Sequence, residues 1–147
     1  MKLHSSAHGD ERIVVVEGAV GTPEVAELRA GLLEAVTGDG GHDVLLDVHG
    51  VPSFADEALT ALTAARSQGK SLRRRVVVLD DQDGATSRSL RRSGQIFRFP
   101  VHPDAVSARA ALAADRASVA GTNPVRPPGD RGAEPVRARP GRAGEPR

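Results

Sequence analysis

Apolar and polar positions fall into short alternating blocks over the first 116 residues and lose that order afterwards. Residues 12–20, RIVVVEGAV, are a β-branched run broken at Gly18, which predicts a strand. Val25, Leu28, Leu32 and Val36 then recur at helical spacing and predict a helix over 22–36. Thr22 is placed to cap it, Pro23 suits the first helical position, and Glu24 favours the positive end of the helix. The segment 37–41, TGDGG, ends it. Residues 44–48, VLLDV, are too continuously apolar for a half-exposed strand and predict a buried one. A second helix follows over 56–68, with Leu59, Leu62, Ala58, Ala61 and Ala65 inward and Gly69 as its stop. Residues 75–79, RVVVL, predict another buried strand, and 84–92 a short polar helix ended by Gly94. Residues 97–101, FRFPV, predict a last strand, which Pro100 marks as an edge. A final helix is predicted over 103–115, and residues 1–8 add a candidate edge strand.

This order predicts an α/β domain over 1–116: a mixed sheet of four or five strands with about four helices against it. Residues 117–147 form a separate C-terminal tail. From Gly121 onward it holds six Pro, five Gly and six Arg against Asp130, Glu134 and Glu145, and its apolar residues are few and small. Such a segment buries too little surface to offset its chain entropy, so it is expected to be disordered.

Composition narrows the function. The 147 residues carry a net charge of +1, so the chain as a whole has no strong pull toward nucleic acid or membrane. The absence of Cys excludes disulfides, thiolate metal sites and thiol nucleophiles. No apolar run approaches the roughly 18 residues of a membrane span. The opening MKLHSSAHGDERIV lacks the apolar middle of a signal peptide, which leads us to expect a cytoplasmic protein.

Few positions suggest chemistry. Asp80 and Asp81 follow a strand as paired acids do in magnesium-holding receivers, but no Lys follows Lys70; a loop capping the helix from Gly84 accounts for them more simply. Gly69-Lys70-Ser71 echoes the end of a phosphate-binding loop, but follows a helix rather than a strand and lacks the earlier Gly. Arg73, Arg74 and Arg75, with Arg88, Arg91 and Arg92, offer a basic face without interleaved aromatics, as expected of solvated charge rather than a nucleic-acid site. His4, His8, His42, His49 and His102 show no metal-ligand spacing. No cofactor or metal is implied, and no nucleophile–base pair supports an enzyme. Thr60 and Thr63 are ordinary surface hydroxyls or alternative phosphate acceptors.

The most informative stretch is 42–62, HDVLLDVHGVPSFADEALTAL, in which a buried strand runs through a short loop into a helix opened by Asp56 and Glu57. Over residues 10–115 the chain resembles the STAS family, the domain of bacterial anti-sigma-factor antagonists. Val16-Glu17-Gly18-Ala19-Val20 stands where that family has a strand ending in Gly-Glu-Leu/Ile-Asp. DVLLDVHGV at 43–51 resembles its next strand, and Ser53-Phe54-Ala55-Asp56-Glu57-Ala58-Leu59 stands where it reads Phe-Ile-Asp-Ser-Ser-Gly-Leu. GKSLRRRVVVLD and FRFPVHPDAVSARAAL follow its later elements in order.

The resemblance implies a non-enzymatic regulator of transcription that docks a serine-kinase-type anti-sigma factor through the start of helix 2. The contact positions are then Ala55, Asp56, Glu57, Ala58 and Thr60, with Gly21 and Thr22 from the neighbouring loop. In members switched by phosphorylation the first Ser of the motif accepts the phosphate. Here that position is Asp56, the preceding Asp is Ala55, the second Ser is Glu57, the Gly is Ala58, and the earlier closing Asp is Gly21. Asp cannot accept phosphate from a serine kinase, so the usual switch is expected to be absent. Asp56 and Glu57 would supply a fixed −2 where phosphoserine brings about −1.5 to −2. Ser53 to Asp56 also has capping-box spacing, so the acids can serve the helix alone. The alternative is a STAS-like accessory or scaffold subunit of a transporter ATPase or signalling assembly, which uses the same surface without phosphorylation. A second copy of the chain is a further candidate partner.

Overall fold

The computed structural model describes residues 1–40 and 43–122. The chain divides after Ala108, and Met1–Ala108 carries the whole sheet. Five strands lie in the order β1-β2-β3-β4-β5: Lys2–His8, Glu11–Glu17, Asp43–Gly50, Val76–Leu79 and Val101–His102. β1 and β2 form an antiparallel hairpin, and the remaining neighbours pair in parallel, so the sheet is mixed. Four α-helices complete the described residues: α1 Val25–Thr37, α2 Leu59–Ser71, α3 Ala85–Arg92 and α4 Ala105–Thr122.

Side-chain alternation places the core. Val14 and Val16 of β2, Val44 and Leu46 of β3, and Val76 and Val78 of β4 share one face, where they join Leu28, Leu32 and Val36 of α1 with Leu62 and Ala65 of α2 in one cluster. The alternate residues Leu45, Val77 and Leu79 are also buried, as strands covered on both faces require. Leu90 of α3 and Phe99 of the following segment complete the main cluster.

The edges of several elements differ from the sequence expectation. Each of the first two helices opens with a 3-10 turn, Thr22–Glu24 and Asp56–Ala58. Gly21, not Thr22, is the cap of the first: its carbonyl accepts from the Glu24 amide at 3.0 Å, while its own amide donates to Glu24 Oε1 at 2.8 Å. Gly69 does not stop α2, which runs on to Ser71. The chain reverses through Arg73 at φ 59°, and the Arg74 amide returns to the Gly69 carbonyl at 2.7 Å. A Cβ at Gly69 would lie 2.6 Å from the Arg74 carbonyl, so glycine is there for close approach. The last strand is only Val101–His102: the Arg98 amide bonds to the Gln95 carbonyl and turns the chain, and only from Pro100 does the backbone pair with β4. The final helix starts two residues later than predicted and extends to Thr122, through an alanine-rich run with no Pro before Pro124. Residues 117–122, expected in the tail, are thus helical; the tail expectation for 123–147 lies outside the described residues.

Candidate partner-docking site

All four parallel strands end on one side of the sheet, where α/β proteins commonly place their binding loops. The loops after β2 and β3 are tied together there. Val20 and Phe54 form an isolated parallel bridge, with the Val20 amide donating to the Ser53 carbonyl at 2.9 Å and the Ala55 amide to the Val20 carbonyl at 2.8 Å. Both residues are apolar and buried, so the clamp is fixed by the core beneath it. Gly21 and Thr22 are thereby set beside Asp56 and Glu57, and Thr22 Oγ1 approaches Glu57 Oε1 at 3.5 Å.

Ala55, extended at φ −69° and ψ 140°, is the helix cap position and offers no side-chain cap. The capping box suggested by Ser53 and Asp56 is not formed, because Ser53 precedes the cap position by two residues. Asp56 instead reaches sideways to α3. Its Oδ1 accepts from Ser89 Oγ at 2.6 Å and from Arg92 Nη2 at 2.7 Å. The Arg92 hydrogen bond, followed by that of Ser89, holds the Asp56 carboxyl below the usual carboxylate value. The same bond raises the pKa of Arg92. Both partners are more than half exposed, so the pair fixes geometry and charge more than it adds stability. Glu57 has no such cation among the described residues.

Thr60 lies exposed one turn on and donates to the Glu57 carbonyl at 2.7 Å. Ala58, expected among the contact positions, is fully buried beneath these residues, as the helical stripe requires. The fold therefore gathers Gly21, Thr22, Ala55, Asp56, Glu57 and Thr60 around the two clamped loops, with Ala58 beneath them. Sequence reasoning missed Ser89 and Arg92, which lie 33 and 36 residues from Asp56.

The other candidates disperse. Asp80 is buried and caps α3: its Oδ2 accepts from the Ser87 amide at 3.0 Å and Ser87 Oγ at 2.9 Å, and its Oδ1 from the Asp81 amide at 2.9 Å. A Cβ on Gly84 would collide with that carboxylate, so the glycine opens the space it fills. No group of three or more potential metal ligands occurs among the described residues. Gly69, Lys70 and Ser71 are the last turn of α2 and form no phosphate-binding loop. Arg74 holds the carbonyls of Val36 and Gly38 at the end of α1, Arg91 the Gln82 carbonyl, and Arg92 reaches Asp56 at the opposite end of α2, so the arginines form no single face. His42 lies outside the described residues. His49 is held by Asp47 at 2.7 Å and lies 3.8 Å from Asp81. No helix among the described residues is long and apolar enough to cross a membrane.

Among solved structures, an anti-sigma factor antagonist from Mycobacterium paratuberculosis superposes with a TM-score of 0.66 at 20% identity, over 76% of this chain and 93% of that one. This is the STAS fold. A STAS domain protein from Planctomyces limnophilus shares it at TM-score 0.61 and 16% identity, over 76% of this chain and 97% of its own. So does the anti-sigma factor antagonist SpoIIAA in its unphosphorylated form, at TM-score 0.61 and 12% identity, over 77% and 97%. No protein-family model matches the sequence, and no curated protein matches it.

Proposed function

We propose that this chain is a non-enzymatic, protein-binding regulator of the anti-sigma-factor-antagonist kind, docking a serine-kinase-type anti-sigma factor through the start of α2. The reading is supported chiefly by one observation: within a fold shared with anti-sigma factor antagonists, the Val20–Phe54 clamp sets Thr22 beside Glu57, with Asp56, Glu57 and Thr60 exposed and Ala55 half-buried at the helix start. Serine phosphorylation does not switch that surface, because its acceptor position is Asp56. Nor does the site offer the doubled negative charge of a phosphoserine mimic. Arg92 balances Asp56, which leaves Glu57 as the uncompensated acid at the helix start. The surface is set in one state.

Two measurements test this. Titration of the purified chain against serine-kinase-type anti-sigma factors encoded near its gene should give a saturable complex, weakened when Glu57 or Thr60 is replaced by Arg. Incubation with such a kinase and ATP should leave residues 55–60 without phosphate by mass spectrometry. Failure of every such anti-sigma factor to bind, or phosphate on Thr60, would overturn the reading.

A further inference from the structure

The docking reading above leaves the partner's chemistry open, and the exposed face of α2 supplies it. A shallow groove of about 480 Å3 follows that face, lined by Asp56, Leu59, Thr60, Thr63 and Ala64, with Arg29 entering from α1 and Gln95 from the segment after α3. Two bonds lay that segment along α2: Thr63 Oγ1 to Gln95 Oε1 at 3.3 Å, and Arg66 Nε to the Arg98 carbonyl at 2.9 Å. Between these ties stands Phe97, 95% exposed, although the other two aromatic residues, Phe54 and Phe99, are buried. An aromatic ring left in water, two residues along the chain from the groove-lining Gln95, is the residue type that dominates protein interfaces once covered.

The charge of the groove is the reverse of what the sequence suggests. Its carboxylate, Asp56, is occupied by Arg92 and Ser89. Arg29, which lines the groove, has no hydrogen bond or ion pair among the described residues, so the groove's uncompensated charge is positive; the guanidinium of the exposed Arg98, whose carbonyl is tied to Arg66, is likewise unpaired there. Glu57, at the helix start, is an opposing acid with no cation partner among the described residues. We propose that this groove receives an acidic, apolar-faced protein segment of the partner, whose carboxylates meet Arg29 and Arg98 and whose apolar side covers Phe97. Complementary charge would set its direction along α2, with a cation toward Glu57 and acids further along.

The full chain, isotope-labelled, can be titrated by NMR with three probes: a short amphipathic peptide carrying Glu on its polar face, the same peptide with Lys for Glu, and a thymidine oligonucleotide. The Glu peptide should move the amide signals of Thr60, Thr63 and Gln95, and the Lys peptide should not. Arg29→Glu should weaken the Glu peptide about tenfold, and Phe97→Ala by at least about fivefold. Both sites are on the surface, and thermal unfolding of the variants checks that they fold. Tighter binding of the Lys peptide or the oligonucleotide, no response to the Glu peptide, signals moving only elsewhere, or unchanged affinity in both variants would overturn the proposal. Docking of the Glu peptide without binding of any anti-sigma factor would uphold the groove's chemistry and remove only the regulatory reading.

Discussion

Asp56 is held by groups that no local pattern could supply. Its acidity is set by Arg92 and Ser89, so removing the guanidinium should raise its pKa. In Arg92→Ala, the Asp56 carboxyl should titrate closer to its ordinary value of 3.8 than in the wild type, as followed by carbon NMR. An unmoved midpoint would mean that the pair does not persist in solution. His49 gives the opposite sign. Burial lowers its pKa, but the hydrogen bond and charge of Asp47, the charge of Asp81 and the Pro103 backbone together raise it above 6.5. A raised folded-state value means stabilisation that is complete below the unfolded value and lost as pH rises through the folded one. Wild type should therefore lose stability relative to His49→Gln as pH is raised from about 5.5 to about 8. Urea midpoints of both proteins at the two pH values test this, and parallel curves would refute it.

The short α3 shows how an element of weak intrinsic preference is made to form. Its sequence, ATSRSLRR, buries Leu90 as its one large apolar residue, and its cap position is Gly84, which has no side chain to offer. Asp80, from the end of β4, supplies the missing acceptor to the Ser87 amide and hydroxyl. Asp80→Ala would leave those buried donors unpaired and should cost about 1–3 kcal/mol. A urea midpoint unchanged from wild type would show that α3 does not depend on this contact. The paired acids after β4 resemble a metal site in sequence, and the structure spends one of them on a helix end. Similar logic corrects the last strand. In FRFPV, strand alternation would put Phe97 and Phe99 on one face, yet Phe97 is exposed and Phe99 buried because a turn at Gln95–Arg98 breaks the period between them.

The sheet distributes stability unevenly. β3 and β4 lie between neighbours on both sides and are buried throughout most of their length, whereas β1 is largely exposed and β5 pairs over two residues. Amide exchange should consequently be slowest at Val44, Leu46, Val77 and Val78, and fastest among the strands at β1 and β5. Protection of β1 equal to that of β3 would argue against this ordering. The loops after β2 and β3 lie between these extremes: Val20 and Phe54 are fastened to the core, while Thr22 and Glu57 above them are exposed. A rigid base under an open surface suits binding with little ordering cost.

Continuous β-branched runs, helical stripes and turn residues determined the strands, the helices and the junction at Asp56, because each is written among residues within about one helical or strand repeat of one another. Even the inward position of Ala58 was in that stripe. Tertiary structure alone decided what Asp56 and Glu57 mean. Arg92 stands 36 residues from Asp56, and Arg29 belongs to another helix; which charges cancel and which stay open follows from how α1, α2 and α3 pack. Coulomb energy depends on distance in space, and only the folded chain sets that distance.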